Sequence, residues 1–199
     1  MAKKSSLKTI LVKIEGSYNA SVTPTASANA VKVVSIDISP IVADEVSREV
    51  IRPYFGNQEV LLANERVEAT IVVEMTGSGT AGTAPKYDPL LQSCGLAHAT
   101  TSSSDTYTPV SDAAAFKSCT IYYNTDGIRH ILTGCMGSFS ISLEVGQIPT
   151  ITFNMVGLKG TISDSALPSS TFSNQASPVL VNSSNTDNFS IFGYSGILQ

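Results

Sequence analysis

The chain has 199 residues, of which 42% are hydrophobic and only 14% charged, and its formal net charge is −4. This length suits one ordinary domain, or one domain with a short appendage. The charged fraction is well below the roughly 25% of soluble globular domains, which is typical of a surface covered by neighbouring subunits. Beyond Lys3 and Lys4 no basic run occurs, which argues against tight nucleic-acid binding.

The N-terminus, from Met1 to Ile14, begins like a signal peptide but does not continue as one. Lys8 and Lys13 interrupt the apolar stretch, and no small-residue cleavage site follows. We therefore predict a first β-strand here. No stretch of the sequence approaches the roughly 20 apolar residues that span a bilayer, so we expect no membrane contact.

Three cysteines, Cys94, Cys119 and Cys135, are widely spaced and form no CxxC pair. An odd and scattered set argues against both a disulfide framework and a zinc site. It indicates a reduced, cytosolic origin.

The segment from Val42 to Arg52 gives mixed signals. Charged pairs three residues apart suit a helix, whereas β-branched residues and Pro53 oppose one. We predict a long excursion between strands over residues 37–60.

The clearest periodicity in the sequence starts at residue 67. Apolar residues alternate with Glu68, Thr70, Val72 and Glu74, which predicts a strand with one wetter face. The apolar set is Val67, Ala69, Ile71, Val73 and Met75.

One short helix is predicted from about Pro85 to His98. Asp88 suits the N-cap and Pro89 the first helical position, while residues 90–94 supply an apolar face and Gly95 lies near the end.

Four successive strands are predicted in residues 118–155. Alternation over 118–123 leads to Asp126-Gly127, a strong hairpin signal, and a return strand over 128–133. Two further alternating runs, 138–145 and 150–155, complete a meander. Their outer faces carry Ser and Thr, which favour strands without adding charge, as expected where a sheet meets another protein.

Residues 163–188 are rich in Ser, Asn and Pro and are typical of a polar extended arm or linker. The apolar ending, with Phe189, Ile191 and Ile197-Leu198, predicts a strand that must pair with its own sheet, a neighbouring subunit or sequence beyond residue 199. The predicted organisation is a β-domain over residues 1–162 and an extended C-terminal arm over 163–199, pairing with the domain or with a neighbouring subunit.

The motifs that could carry chemistry are weak. The glycine-rich stretch from Gly77 to Pro85 lacks the Gly-Lys-Ser/Thr ending of a phosphate-binding P-loop and the GxGxxG order, so a flexible connection is favoured. A zinc site would need His98 and His130 to meet other ligands, and a partly buried, hydrogen-bonded His130 is favoured instead. Ser5 to Lys8 matches SxxK by coincidence.

No GxSxG elbow and no carboxylate pair with a pKa-shifting context stand out. We therefore predict no catalytic, metal or cofactor-binding residues, no cofactor, and no enzyme.

Several short motifs follow one another in an order that is hard to obtain by chance. The first half of the chain contains Glu15-Gly16-Ser17-Tyr18, Ile36 to Pro40, Glu45 to Arg48 and Arg52 to Gly56. The second half contains Gly77 to Pro85, Leu90-Leu91, Cys94-Gly95-Leu96, Tyr107 to Ser111, Tyr122 to Gly127, Arg129-His130, Gly134, Gly137 and Gly146 to Pro149. Together, over residues from about 7 to 180, these motifs resemble the tail tube (major tail) proteins of long-tailed bacteriophages.

This resemblance implies a mainly β fold of β-sandwich or barrel type, with one short flanking α-helix and long inter-strand loops. It implies a virion structural protein whose subunits form rings, most often of six, stacked around a channel that conducts genomic DNA without binding it specifically. The excursion at 37–60 would bridge stacked rings. The implied partners are other copies of the chain, the tape measure protein, the tail terminator and the distal tail or baseplate proteins. The implied location is the virion tail, assembled in the bacterial host cytoplasm.

One alternative of a different class stays open. A β-sandwich module could bind a ligand or glycan through exposed tyrosines, for which Tyr107, Tyr122 and Tyr123 are the candidates.

Overall fold

The computed structural model describes residues 6–53, 55–182 and 184–185, together with the backbone of 189–191 and 194–196. Within these residues nearly all of the regular secondary structure is β-strand. The elements are β1 Lys8–Ile14, β2 Ala30–Val31, β3 Ser35–Ser47, β4 Val60–Glu74, α1 Asp88–Ser93, β5 Leu96–Thr100, β6 Asp105–Pro109, a 3₁₀ turn Ala113–Ala115, β7 Cys119–Thr125, β8 Ile128–Ser142, β9 Thr150–Asp164, β10 Phe189–Ile191 and β11 Tyr194–Gly196.

Seven of the strands form one antiparallel sheet in the order β2-β1-β7-β8-β9-β4-β3. The two outermost strands, β2 and β3, are consecutive in the chain and are joined by Lys32 to Val34 alone. Four peptide steps reach at most roughly 14 Å, so the sheet must curl until its edges approach each other at this point. The mainly β, barrel-type fold with one short flanking helix is confirmed.

The concave side of this curled sheet holds the core. Alternate residues of β4 are buried as predicted, and they pack against β1, β7, β8, β9 and α1. Phe153 and Leu90, from β9 and α1, are fully buried among them. The opposite side of the sheet remains free of cover over β3, β4, β9 and the end of β8.

The helix exists but is shorter than predicted. It begins at Asp88 and ends at Ser93, so Tyr87 rather than Asp88 is at the N-cap position, and Pro89 is the second helical residue instead of the predicted first. Gly95 ends it with a φ of 83°, a conformation that glycine adopts without strain, and the chain enters β5 directly afterwards.

The predicted strands 128–133 and 138–145 are one continuous strand, β8. The prediction of four strands in this meander was wrong, because the glycines at 134 and 137 interrupt the alternation without ending the strand. Gly134, with a φ of 60°, lies in a register shift between Thr133 and Met136. A bulge of this kind exchanges the two faces while pairing continues on either side.

Much of the excursion predicted at residues 37–60 is regular. β3 extends to Ser47 and β4 begins at Val60, and the two pair from Ser35↔Val72 to Ser47↔Val60. Register shifts near Val42 bend this ladder. The prediction failed because two-sided exposure leaves no period-two hydrophobic signal in residues 40–47.

After β9 the chain runs without regular structure over residues 165–182, here called the strap. It is tied to the domain by hydrogen bonds from Thr171 N to Ala26 O and from Ala176 N to Gly77 O. Further on, β10 pairs with β11, which gives Phe189 and Ile191 a partner within the chain. The predicted Ile197-Leu198 ending lies outside the described residues, as does Ser5.

Replacing Gly137 with alanine is expected to destabilise the protein by about 1–3 kcal/mol, the cost of overpacking a tight site. A Cβ at this position would collide with the carbonyl oxygen of Asn154 and approach Met155 Sδ to 2.9 Å. That carbonyl belongs to the β8–β9 ladder and cannot withdraw. Chemical denaturation measures the effect, with Gly16→Ala as control because nothing lies within 4 Å of its added Cβ.

Candidate assembly surfaces

Two backbone edges that flank one half of the sheet have no strand partner among the described residues. β7 stops at Cys119, opposite Cys135, so residues 136–142 of β8 pair with β9 alone. On the other flank β3 pairs only with β4. We name these the β8 edge (136–142) and the β3 edge (35–39). Since every neighbouring pair is antiparallel, the two edge strands run in opposite directions.

Both edges carry apolar side chains on the core side of the sheet. Ile36 and Ile38 of the β3 edge lie partly buried against the core, as does Phe139 of the β8 edge. Ile141, next along, is 47% exposed. The core therefore continues to each edge and stops there without cover, as a core does when a neighbouring subunit completes it.

The outward side of the same four strands is mainly polar, although Val72, Val156 and Met136 also lie on it. Among the described residues its polar part contains no basic side chain, and Arg66 lies on the same side of β4 at its boundary. We name this part the polar face: Ser35, Asp37, Ser39, Glu68, Thr70, Val72, Glu74, Thr150, Thr152, Asn154, Ser138, Ser140 and Ser142. Cross-strand rows connect it, such as Asp37↔Thr70↔Asn154↔Ser138. Arg66 flanks the face and is ion-paired with Glu68 at 2.8 Å.

The far end of the β3–β4 hairpin exposes large apolar side chains among charged and polar ones. We name residues 48–59 the hairpin tip, of which Tyr54 is not described. Ile51 and Phe55 are 102% and 107% exposed. At its base an ion pair joins Arg48 to Glu59 at 3.0 Å, and the Arg48 N–H donates to Glu59 O.

A buried carboxylate that sequence reasoning missed holds the domain together. Glu15 follows β1 and is 4% exposed. It accepts hydrogen bonds from the hydroxyls of Ser118 and Thr120 at 2.6 Å each and from the backbone N–H groups of Gly134 and Asn19 at 3.0 Å each. Burial raises the pKa of Glu15, but these four hydrogen bonds outweigh it and hold the pKa below its ordinary value.

The two histidines lie in different sheets. His98 in β5 stacks on Tyr107 at 5.0 Å between ring centroids and contacts Asp105 through Nε2 at 2.8 Å. Hydrogen bonds from Thr100 and His98 lower the pKa of Asp105. His130 in β8 lies beside Tyr123. Among the described residues no group of three or more His, Cys, Asp or Glu could hold a metal ion.

Two of the three tyrosines proposed for ligand binding are buried, and the third is partly buried with its hydroxyl engaged. Tyr122 and Tyr123 are each 7% exposed, since β7 is buried on both sides. Tyr107 donates its hydroxyl to Asp88 Oδ1 at 2.9 Å, and burial with this carboxylate raises its pKa. The interpretation of an exposed tyrosine surface was therefore wrong. Alternation along a strand does not reveal that both faces are covered.

The remaining sequence motifs have structural positions. The glycine-rich stretch 77–85 joins β4 to α1, where Tyr87 donates its hydroxyl to Thr76 O at 2.8 Å. The three cysteines are free thiols, and burial raises the pKa of Cys94 to about 11 and that of Cys119 to about 12. None of the helices that the structure describes is both long and apolar enough to cross a membrane.

Comparison with known proteins gives one family and a loose structural likeness. The chain is similar to a chain of the anti-feeding prophage tube-terminating cap, with 10% identity, coverage of 83% of this chain and 93% of that one, and a TM-score of 0.48. It is also similar to a chain of the sheath-tube complex of an extracellular contractile injection system, with 8% identity, coverage of 78% and 88%, and a TM-score of 0.46. No curated protein matches significantly.

The family assignment rests on the sequence. The model of the family described as phage tail tube protein matches residues 5–197, nearly the whole chain. This agrees with the resemblance found from the motifs and with the mainly β fold. The chain therefore belongs to the phage tail tube protein family and is a structural component of a virion tail.

Proposed function

We propose that the chain works by self-assembly alone, without catalysis, forming rings that stack into a tube and conduct DNA. The observation that carries this proposal is the pair of oppositely directed edges without a strand partner, on the four-stranded part of the sheet formed by β8, β9, β4 and β3. In an antiparallel sheet the β3 edge of one copy can pair with the β8 edge of the next, and repetition by rotation closes a ring.

Ring closure would also complete the core. Ile36 and Ile38 on one copy would meet Phe139 and Ile141 on its neighbour, since all four point to the core side of the joined sheet. A continuous barrel of this kind leaves no strand edge exposed. The proposed number of subunits per ring is six.

The polar face would line the channel of such a ring. It has three carboxylates, Asp37, Glu68 and Glu74, and no basic residue. Phosphate contacts by Lys or Arg release counterions and bind DNA tightly, so their absence from this face would let DNA slide.

The hairpin tip would then reach a neighbouring ring, and the arm of residues 163–199 would support contacts along the tube. The proposed partners are other copies of the chain, the tape measure protein, the tail terminator and the distal tail or baseplate proteins. Assembly would take place in the host cytoplasm.

Electron microscopy with light scattering tests the proposal on purified protein over a range of concentrations. Rings and tubes are expected, with an apparent mass that rises with concentration. A monomer at all concentrations, with neither rings nor tubes, would contradict it.

Replacing Ser138 with lysine tests the assignment of the channel wall. A ring of lysines should leave tube assembly intact but slow DNA ejection from phage particles, most strongly at low salt, because screening weakens phosphate contacts. Ejection rates at two ionic strengths measure this. Ser138→Gln, similar in reach but neutral, is the control. Equal ejection by the lysine and glutamine variants would place the polar face outside the channel.

A further inference from the structure

An apolar groove lies at the end of the sheet opposite the hairpin tip. Its volume is about 340 Å³, and no charged residue is among the described residues that line it. Exposed apolar side chains form its walls, namely Met75, Leu143, Val179 and Leu180. A groove of this composition is unusual on a free surface and suits an apolar occupant.

The groove is built by the strap and is held in shape by backbone hydrogen bonds. Val181 is buried, with its N–H donating to Gln147 O at 3.1 Å and its carbonyl accepting from Gly146 N at 2.8 Å. Ala176 N donates to Gly77 O at 3.0 Å on the other side. Both walls are therefore fixed before anything binds, which reduces the entropy lost on docking.

The matching apolar projection of the same chain is formed by Ile51 and Phe55 of the hairpin tip. Both side chains protrude fully, and at the base of the tip Arg48 is ion-paired with Glu59. Contact of the Phe55 and Ile51 side chains with water is unfavourable on a free subunit, and so is contact of the apolar groove walls with water.

Strand β4 connects the two features and sets their separation. It begins at Val60, next to the tip, and ends at Glu74, next to Met75. Fifteen residues of strand extend about 45 Å, so tip and groove lie at opposite ends of the subunit. Two complementary surfaces at opposite ends produce a heterologous, head-to-tail contact that repeats without closing.

We propose that the hairpin tip of one copy docks in the strap groove of a second copy in the next ring, with Phe55 and Ile51 against Leu143, Val179 and Leu180. This proposal rests on the proposed function, which supplies the rings, and it adds the site on the neighbouring ring that receives the hairpin tip. The strap therefore serves stacking, and the same surfaces remain unfilled at the two ends of a tube.

A single tip is too small to hold two free subunits together. It buries far less than the roughly 1,200 Å² of a stable interface, so an isolated contact is weak. A ring presents several tips at once, and the contacts after the first form at high effective concentration. Stacking should therefore follow ring formation and be lost when each tip is weakened.

Cross-linking tests the contact directly. A chain carrying Ile51→Cys and Leu180→Cys, treated with a short bismaleimide, should give a ladder of covalent multimers on a denaturing gel. The control carries Ile51→Cys with Ser103→Cys, which lies in the exposed β5–β6 turn, and should give none. The native thiols Cys119 and Cys135 are buried and Cys94 is partly buried, which limits background.

Serine substitutions test the energetics. Phe55→Ser and Leu180→Ser should each leave single rings and abolish tubes, whereas Leu7→Ser, an exposed apolar residue outside both surfaces, should retain tubes. Tubes in all three variants, or a ladder from the Ser103 control instead of the Leu180 pair, would overturn the groove assignment alone. A wild type without rings, tubes or cross-linked products would overturn the groove and the proposed function together.

Discussion

Replacing Glu15 with glutamine should lower the free energy of unfolding by about 3 kcal/mol, the scale of losing charge-assisted hydrogen bonds and leaving buried donors unmatched. All four partners of this carboxylate are donors, two hydroxyls and two backbone N–H groups. A glutamine would direct its own NH₂ at them. The loss should loosen the turn around Asn19 and the bulge at Gly134.

The same residue should make stability depend on pH in the acid range. Its folded pKa lies below that of the unfolded chain, about 4.3. The stabilisation is therefore present above the unfolded pKa and is lost as pH falls through the folded pKa. Denaturation between about pH 7 and pH 3 should show this dependence weakened in Glu15→Gln.

Glu59→Gln is the matched control for the Glu15 variant. Glu59 has a 51% exposed side chain and pairs with Arg48 at the surface, where such pairs contribute no more than about 1 kcal/mol. If both variants unfold at the same denaturant concentration, the four hydrogen bonds to Glu15 do not stabilise the domain as described.

Replacing Ile141 with lysine should abolish rings while leaving the subunit folded. The side chain is half exposed in the subunit but would be enclosed when the β3 edge of a neighbour pairs alongside. A lysine there places an unpaired charge in that apolar seam, which strongly disfavours association. Analytical ultracentrifugation should give a monomer at concentrations where the wild type forms rings.

Ser103→Lys adds the same charge at an exposed turn and should form rings normally. Thermal unfolding of the Ile141→Lys and Ser103→Lys variants checks that both subunits are folded, since exposed substitutions change the free energy of unfolding by only about 0.5 kcal/mol. Rings of Ile141→Lys would show that the β8 edge does not form the contact between subunits.

The sequence predicted elements with strong local signals. The alternation in residues 67–73 reflects a strand with one buried face, and the Asp126-Gly127 turn joins β7 to β8 as expected. The motif order also led to the correct family. Such features depend on periodicity and turn chemistry, which are local properties.

The features that were missed depend on tertiary contacts. Gly134 ended a predicted strand because a bulge and a turn share the same residue type. The two free edges became visible only in the sheet order, since β7 covers one half of β8 and leaves the other uncovered. Glu15 looks like a surface residue in sequence, and three of its four donors, in Ser118, Thr120 and Gly134, come from segments more than a hundred positions away.

The sheet order also determines how the chain can fold. Three of the strand pairs join sequence neighbours, namely β3 with β4, β7 with β8, and β8 with β9. In contrast, β1 must pair with β7, about a hundred residues away. During synthesis the hairpin with Ile51 and Phe55 leaves the ribosome before β7 exists to receive β1. Each nascent subunit therefore exposes the apolar side chains of its hairpin tip before its barrel can close, so we expect premature association to compete with folding at high expression.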